Sequence, residues 1–263
     1  MFTADGELAG TTNITGIIAP PGRMYRLSDG GWVVGSGDGF TTAQLRGNAE
    51  PGVHRLESPI VRLSRDGTRV DATGVFPSAE VEVVVDGPRT VFTSALFGRK
   101  LSYAVWNDQL FVGTADRLAV DVYSPTGRLL RSVRAPEVDV RWTEEIEAAH
   151  REYVRERIAS AAPERRPDLE SRLVGRELPQ TVPAYTSLLV DQQGNLWLGE
   201  FRIDHRTPRH FLVFDRDGRF MTGITVPPDF RVLMIPHGQV RGRATDDLGV
   251  QYVVGCSIVR DSG

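Results

Sequence analysis

The five histidines are the first residues to test for chemistry, because imidazole can act as metal ligand, general base or proton carrier. None of them forms the H-E-x-x-H pair of a zinc-protease helix. Glu147 and His150 form a single E-x-x-H, which is half of the helix motif of di-metal sites, and the sequence has no second half. We therefore expect these two side chains on a solvated helix face.

The sequence also has no convincing motif for a phosphate loop or for an oxygen-rich metal site. The segment GSGDG at 35–39 lacks the lysine of a phosphate loop and the serine of a nucleophile elbow, so it is interpreted as a loop between strands. Asn107 and Asp191 each end an apolar, strand-like segment. Two oxygen ligands are too few for a hard cation, which takes about six or more. The sequence thus predicts no catalytic residue, no metal site and no cofactor.

Composition excludes several classes of partner. The 31 basic residues are all arginine except Lys100, they are scattered, and 34 acidic residues leave a net charge of −3. We therefore expect no nucleic-acid partner.

No apolar run approaches the roughly 18 residues that a membrane span needs, so no span is expected. The N-terminus lacks the basic and apolar regions of a signal peptide. The one cysteine, Cys256, excludes an intrachain disulfide and is expected to be a small buried hydrophobe.

Two kinds of tight turn alternate along the chain. The first kind recurs in the segments LSDGGWVVG (27–35), WNDQLFVG (106–113), DQQGNLWLG (191–199) and PHGQVRG (236–242). The second kind recurs in TADGEL (3–8), SRDGTR (64–69), SPTGRL (124–129) and DRDGRF (215–220). Apolar runs between such turns predict antiparallel hairpins, and residues 184–227 predict a four-stranded meander. The 44 residues from Gly194 to Gly238 are the length of one propeller blade.

One segment departs from the strand pattern. Residues 141–162 place Ile146, Val154 and Ile158 at helical spacing, with Thr143 as N-cap. Pro167 then opens a second, shorter helical piece. We expect a helical insert over 138–178, with its helices near 141–175. A surface helix packed by one apolar stripe and a functional lid are both open interpretations.

On three groups of residues the chain resembles bacterial six-bladed β-propellers of the NHL/TolB-like kind. These are Gly194 with Leu196 and Trp197, Phe214 and Asp215 with Gly218, and Asp246 and Asp247 with Gly249 and Val250. The resemblance implies an all-β fold of four-stranded antiparallel blades, as one domain over 1–263. It also implies a binding scaffold. Because relatives of this kind are often exported, an extracytoplasmic location is expected.

The number of strands does not suit a complete six-bladed ring. About eighteen strands can be recognised, which gives some four and a half blades of four strands. Residues 1–17 resemble the last two strands of a blade, so we expect an N-terminally incomplete member of the family. The alternative is a smaller ring, in which the N-terminal strands complete the C-terminal blade at 230–259.

The function expected from these patterns is non-catalytic binding of a protein partner or a small-molecule ligand. Arg141 and Trp142 are the candidate binding residues, because inserts tend to lie over one face and an exposed tryptophan beside an arginine has the composition of a binding hot spot. In the alternative for this pair, Trp142 covers the insert's own small core. The alternative function is a metal-dependent hydrolase or lactonase that uses the propeller channel and loop carboxylates.

Overall fold

The structure is a computed structural model that describes most of the chain. It describes residues 5–7, 11, 14, 21–36, 50–87, 89–135, 138–174, 176, 178–203, 207–246 and 248–259. Within them the backbone forms sixteen strands in four sheets, two α-helices and one turn of 3-10 helix. No helix in these ranges is long and apolar enough to cross a membrane.

The strands fall into four sheets in the order of the chain. Sheet 1 contains β1 (Pro21–Arg26), β2 (Trp32–Ser36), β3 (Gly52–Leu63), β4 (Arg69–Asp86) and β5 (Arg89–Ser94). Sheet 2 contains β6 (Ser102–Trp106), β7 (Gln109–Gly113), β8 (Ala119–Tyr123) and β9 (Leu129–Arg134). Sheet 3 contains β10 (Ser187–Val190), β11 (Leu196–Gly199), β12 (Arg209–Phe214) and β13 (Phe220–Val226). Sheet 4 contains β14 (Arg231–Met234), β15 (Gln239–Thr245) and β16 (Gln251–Ser257).

Within each sheet, strands that are neighbours in the chain are neighbours in space. The strand pairs with a described register are antiparallel. Successive antiparallel meanders of this kind are the blades of a β-propeller. The fold is therefore an all-β propeller with four blades and few helices, which confirms the predicted fold class at this level.

The six-bladed type and the count of four and a half blades are wrong for the described residues, which form four sheets of five, four, four and three strands. The main reason is the length of two strands. β3 has 12 residues and β4 has 18, so they cover the lengths of about two and about three ordinary strands. Bulges, such as the register shift between Arg55 and Glu57, let their pairing continue. The strands predicted within residues 1–17 lie almost entirely outside the described residues.

The chain divides into two compact units. The first comprises Met1–Ala95, Lys100–Thr114 and Val120–Val133, and the second comprises Leu96–Arg99, Ala115–Ala119 and Arg134–Gly263. The single domain expected over 1–263 stays a prediction.

The first unit is held by a core in which Tyr103 is the central polar residue. Its hydroxyl donates to the carbonyl of Arg23 at 2.6 Å and accepts from the amide of Gly35 at 2.7 Å. Burial raises the pKa of Tyr103 to about 12, so the phenol stays neutral. The apolar residues around it are Leu27, Val33, Ile60, Leu110 and Val112.

The second unit contains sheets 3 and 4, which share one apolar core. Trp197 and Phe211 of sheet 3 belong to the same buried cluster as Phe230, just before β14, and Val240 of sheet 4. Cys256 of β16 packs against this cluster, but it is half-buried rather than buried as the sequence predicted.

The second unit also contains the predicted helical insert. It consists of α1 (Glu144–Ala159), the 3-10 turn (Pro163–Arg165) and α2 (Arg166–Leu173). Thr143 caps α1 as predicted, because its hydroxyl accepts from the amide of Ile146 at 3.3 Å. An isolated antiparallel bridge joins Arg141 to Thr181 and closes the base of the insert. The helices therefore form an excursion between β9 and β10.

Candidate binding site

Trp142 stands at the base of the helical insert, directly after Arg141, which forms the bridge to Thr181. Its amide donates to the carbonyl of Gln180 at 2.9 Å. Its side chain is half-buried and stacks on Phe97, with ring centroids 5.7 Å apart and planes inclined by 30°. The contact agrees with the alternative in which Trp142 covers a small core at the insert.

Arg141 does not share this environment. Its side chain is 80% exposed, and its Nη2 bonds the Oδ2 of Asp139 at 2.6 Å. The bonds from Arg141 hold the pKa of Asp139 at about 2. Side chains of adjacent residues in an extended segment point to opposite faces. The structure therefore separates the two residues that the sequence placed in one site.

His150 is the residue that the sequence placed wrongly. Only 5% of it is exposed, although a solvated position was expected. Its ring contacts Phe97 at 5.2 Å and Trp142 at 5.9 Å between centroids. Glu147 stays nearer the surface, where its carboxylate lies 3.4 Å from a guanidinium nitrogen of Arg151. The two residues of the E-x-x-H motif therefore lie in different surroundings: His150 is buried, and Glu147 pairs with Arg151.

A sequence signal for this burial does exist. His150 lies four residues before Val154, and these two are the buried residues of α1. Side chains four apart share a helix face. If Val154 is taken as a buried position, the helical spacing predicts that His150 is buried too. The prediction of an exposed His150 followed only from the polarity of its side chain.

Four rings meet at this place, and we call them the aromatic cluster: Phe97, Trp142, His150 and Phe201. Phe97 is central, since Phe201 also contacts it, at 5.3 Å and 86°. Its backbone has a φ of 51°, in the left-handed region that non-glycine residues rarely adopt. Such a conformation costs about 1–3 kcal/mol and is retained only when surrounding contacts enforce it.

Two nitrogen atoms of the aromatic cluster have unused hydrogen-bonding capacity. Trp142 Nε1 and His150 Nδ1 are both buried, and neither has a partner among the described residues. Burial, and then the charge of Arg176, lower the pKa of His150, so its ring is neutral near neutral pH. A neutral imidazole offers one N–H donor and one acceptor. Buried polar atoms are normally bonded, so the pair is chemically unusual.

Asp191 and Asn107, the two side chains considered as metal ligands, each lie at a turn. Asp191 is 5% exposed, and its carboxylate accepts from the amides of Gln193 and Asn195 at 2.9 and 2.8 Å. It also accepts from Trp197 Nε1 at 3.1 Å. Asn107 adopts a φ of 47° in the turn between β6 and β7. In the described part of the chain, no group of three or more His, Cys, Asp or Glu residues is placed to hold a metal ion.

Comparison with known proteins adds little to these observations. No protein-family model and no curated protein matches the chain. A solved structure of Kluyveromyces lactis Hsv2, described as having a complete loop 6CD, is similar at a TM-score of 0.31 and 10% sequence identity. The match covers 91% of this chain and 73% of that one. A likeness of this size bears on neither the fold nor the function of the present chain.

Proposed function

We propose that this chain is a non-catalytic β-propeller binding scaffold, and that a ligand or partner binds at the aromatic cluster. The observation behind the proposal is the pair of unpartnered nitrogens, Trp142 Nε1 and His150 Nδ1, in rings 5.9 Å apart. Leaving a buried polar group unbonded costs about 1–3 kcal/mol. A ligand atom that bonds these nitrogens recovers that free energy.

The cluster favours a ligand with an oxygen acceptor on a planar apolar body. Trp142 Nε1 is a donor only, so its partner must be an acceptor such as a carbonyl or carboxylate oxygen. The half-exposed indole offers a face on which a planar group packs. Arg141 stays a candidate contact, but a ligand must compete with Asp139 for its guanidinium.

Two further predictions belong with this proposal. Kinship with the NHL/TolB-like propellers stays a prediction, since no family model matches. The metal-dependent hydrolase has no comparable support, because Asp191, one of its two ligand candidates, caps its own turn.

The indole N–H signals provide the test. The chain has 4 tryptophans, so isotope-labelled protein gives four resolvable indole cross-peaks in nitrogen–proton spectra. Trp142→Phe assigns one of them, and Trp197, bonded to Asp191, is an internal control. The probes are benzoate and benzamide, which each combine a ring with an oxygen acceptor.

We expect saturable movement of the Trp142 signal with at least one probe, while the Trp197 signal stays in place. Trp142→Phe keeps a ring but removes the donor, so it should weaken binding by roughly threefold or more. Arg141→Ala should change binding by less than about twofold, as for an exposed ion pair. If the Trp142 signal stays fixed with both probes, or if Trp142→Phe binds as well as the wild type, the proposal fails.

A further inference from the structure

The aromatic cluster carries two unbonded nitrogen atoms on neighbouring rings. His150 is 5% exposed, and its Nδ1 has no partner among the described residues. The same is true of Nε1 of the half-buried Trp142. The two ring planes are inclined by 74° with their centroids 5.9 Å apart, and both rings contact Phe97. Because the two rings are neighbours, one ligand group can bond both nitrogens, and their hydrogen-bonding roles decide which group fits.

The hydrogen-bonding roles of these nitrogens distinguish a carboxylate from an amide. Trp142 Nε1 only donates, whereas Nδ1 of a neutral His150 donates or accepts, according to which ring nitrogen holds the proton. A primary amide offers both an acceptor and a donor, so it suits the indole together with a neutral imidazole that accepts. A carboxylate offers two acceptor oxygens and needs a donor at both nitrogens. A protonated His150 always donates from Nδ1, because both of its nitrogens carry hydrogen.

Three acidic side chains on the segments that supply the rings are each tied to an arginine. These ion pairs, at 2.6–3.4 Å, join Glu147 to Arg151, Asp139 to Arg141 and Asp116 to Arg99. Glu200 and Arg202 flank Phe201 as one acid and one base, and Glu200 is exposed. In the part of the chain that the structure describes, none of these carboxylates bonds to the ring of His150.

Arg176 is the charged residue that acts on His150. Burial first, and then the positive charge of Arg176, lower the pKa of His150. In the free protein His150 is therefore a neutral imidazole near a positive charge. A carboxylate changes both conditions, because Arg176 attracts it and because an opposite charge within about 4–6 Å favours the protonated imidazole. A neutral amide changes neither.

We propose that the ligand of the aromatic cluster is a carboxylate on a planar apolar body, and that His150 takes up a proton from solvent as this ligand binds. Trp142 Nε1 then donates to one carboxylate oxygen and His150 Nδ1 donates to the other, so the negative charge and the proton enter together. The inference rests on the proposed function and deepens it, because that proposal leaves carbonyl and carboxylate ligands equal. Such a carboxylate occurs on small aromatic acids and at the C-terminus of a peptide that ends in an aromatic residue.

Proton uptake gives ligand binding a pH dependence with a definite sign. Between the lowered pKa of His150 in the free protein and its higher pKa in the complex, the complex holds one more proton than the free protein. Lowering the pH from about 8 to about 6.5 should therefore strengthen carboxylate binding, by up to about tenfold for each pH unit. A ligand carboxyl group with an ordinary pKa of about 4 stays ionised over this range. Binding of a neutral amide should not depend on pH there.

Calorimetric titration with benzoate, benzamide and N-acetylphenylalanine tests the inference. Each titration is run in two buffers with different enthalpies of ionisation, because the difference in heat counts the protons taken up on binding. His150→Gln keeps a polar side chain but removes the group that is protonated. His210→Gln is the matched control, since His210 is an exposed histidine of β12 whose Nδ1 lies 2.8 Å from the hydroxyl of Thr225.

We expect wild-type protein to take up about 0.5–1 proton with benzoate near pH 7, and none with benzamide. His150→Gln should abolish the uptake and weaken benzoate binding by roughly tenfold or more, while benzamide binding changes by less than about threefold. His210→Gln should behave as the wild type with both probes. The proton count of the wild type tests the inference even if His150→Gln fails to fold.

The outcomes separate this inference from the proposed function. Benzoate binding without proton uptake, or benzamide binding at least as tightly as benzoate at a pH of about 6.5, overturns the inference and leaves the proposed function standing. Absence of binding by every probe overturns both. N-acetylphenylalanine distinguishes the two sources of the carboxylate: binding with proton uptake that is tighter than that of benzoate assigns it to a peptide terminus, and weaker binding assigns it to a small aromatic acid.

Discussion

Asp191 has the residue type of a metal ligand and the surroundings of a structural cap. Its carboxylate oxygens accept from two backbone amides, from the side chain of Asn195 and from the indole of Trp197. Each bond fixes part of the turn between β10 and β11. Its sequence position, at the end of an apolar strand before a Gly turn, is equally compatible with a cap, so neighbours rather than residue type decide its role.

Replacing Asp191 should therefore destabilise the fold. Asp191→Ala leaves the buried indole N–H of Trp197 and two turn amides without their acceptor, and we expect a loss of about 2–4 kcal/mol in the free energy of unfolding. Asp217→Ala is the control, because that carboxylate is exposed in the next hairpin of sheet 3, and it should change stability by less than about 0.5 kcal/mol. Urea denaturation measures both. Equal losses would contradict the assigned role.

Burial of His150 predicts a pH dependence with a definite sign. Its pKa in the folded protein lies below the ordinary value of 6.5, which applies to the unfolded chain. Between the two values the unfolded chain binds a proton that the folded chain does not, so stability falls as the pH is lowered through this window. Unfolding of wild type and His150→Gln across that range measures the effect. The wild type should lose more stability than the variant, and parallel pH profiles would refute the assignment.

At the scale of elements, the turns are the best predicted features. Gly67, Gly127 and Gly218, which the sequence placed in one recurring turn, have φ values of 88°, 84° and 83°. In each turn the glycine amide donates to the carbonyl three residues earlier at 2.9–3.0 Å. Local rules suffice here because the conformation depends on a few adjacent residues.

Two turn glycines allow backbone strain to be separated from steric exclusion. At Gly127 an added Cβ lies 2.3 Å from the carbonyl oxygen of Thr73, whereas at Gly238, with a φ of 75°, nothing lies within 4 Å. We expect Gly238→Ala to cost about 1–2 kcal/mol from backbone conformation alone. Gly127→Ala should cost at least about 2 kcal/mol more, because the turn must move away from Thr73. Urea denaturation of the two variants checks the difference, and equal costs would contradict the contact.

The helical insert was predictable as an element but not as a site. Its cap and apolar spacing are local properties, and both helices lie within the predicted 138–178. The contact of Trp142 and His150 with Phe97 links positions more than 40 residues apart. Nothing in the spacing of Phe97, which follows β5, indicates that it meets α1. The aromatic cluster therefore required the tertiary structure.

At the scale of the whole molecule, the all-β class and the succession of meanders followed from the sequence, whereas the number of blades did not. Strand counting assumes strands of ordinary length, and sheet 1 departs from that with the 12 residues of β3 and the 18 of β4. The arginines show the same limit. They are scattered in sequence, and only the strand register brings Arg231 opposite Arg243.

Overall charge predicts an absence of nucleic-acid binding. The net charge is −3 and the basic residues are scattered along the sequence, so we expect little of the counterion release that drives binding to DNA. Fluorescence anisotropy of a labelled duplex of about 20 base pairs should show no saturable binding at about 0.15 M salt. Tight, salt-sensitive binding would contradict this prediction.

The most direct test of the central claim, that the second unit binds a ligand at the aromatic cluster, follows two indole nitrogen atoms in one isotope-labelled sample. The Trp142 Nε1 signal reports the aromatic cluster, and the Trp197 Nε1 signal, bonded to Asp191, is the internal control. We expect benzoate or benzamide to move the Trp142 signal and to leave the Trp197 signal in place. If the Trp142 signal stays fixed at saturating concentrations of both probes, the proposal of a binding scaffold at the aromatic cluster is wrong.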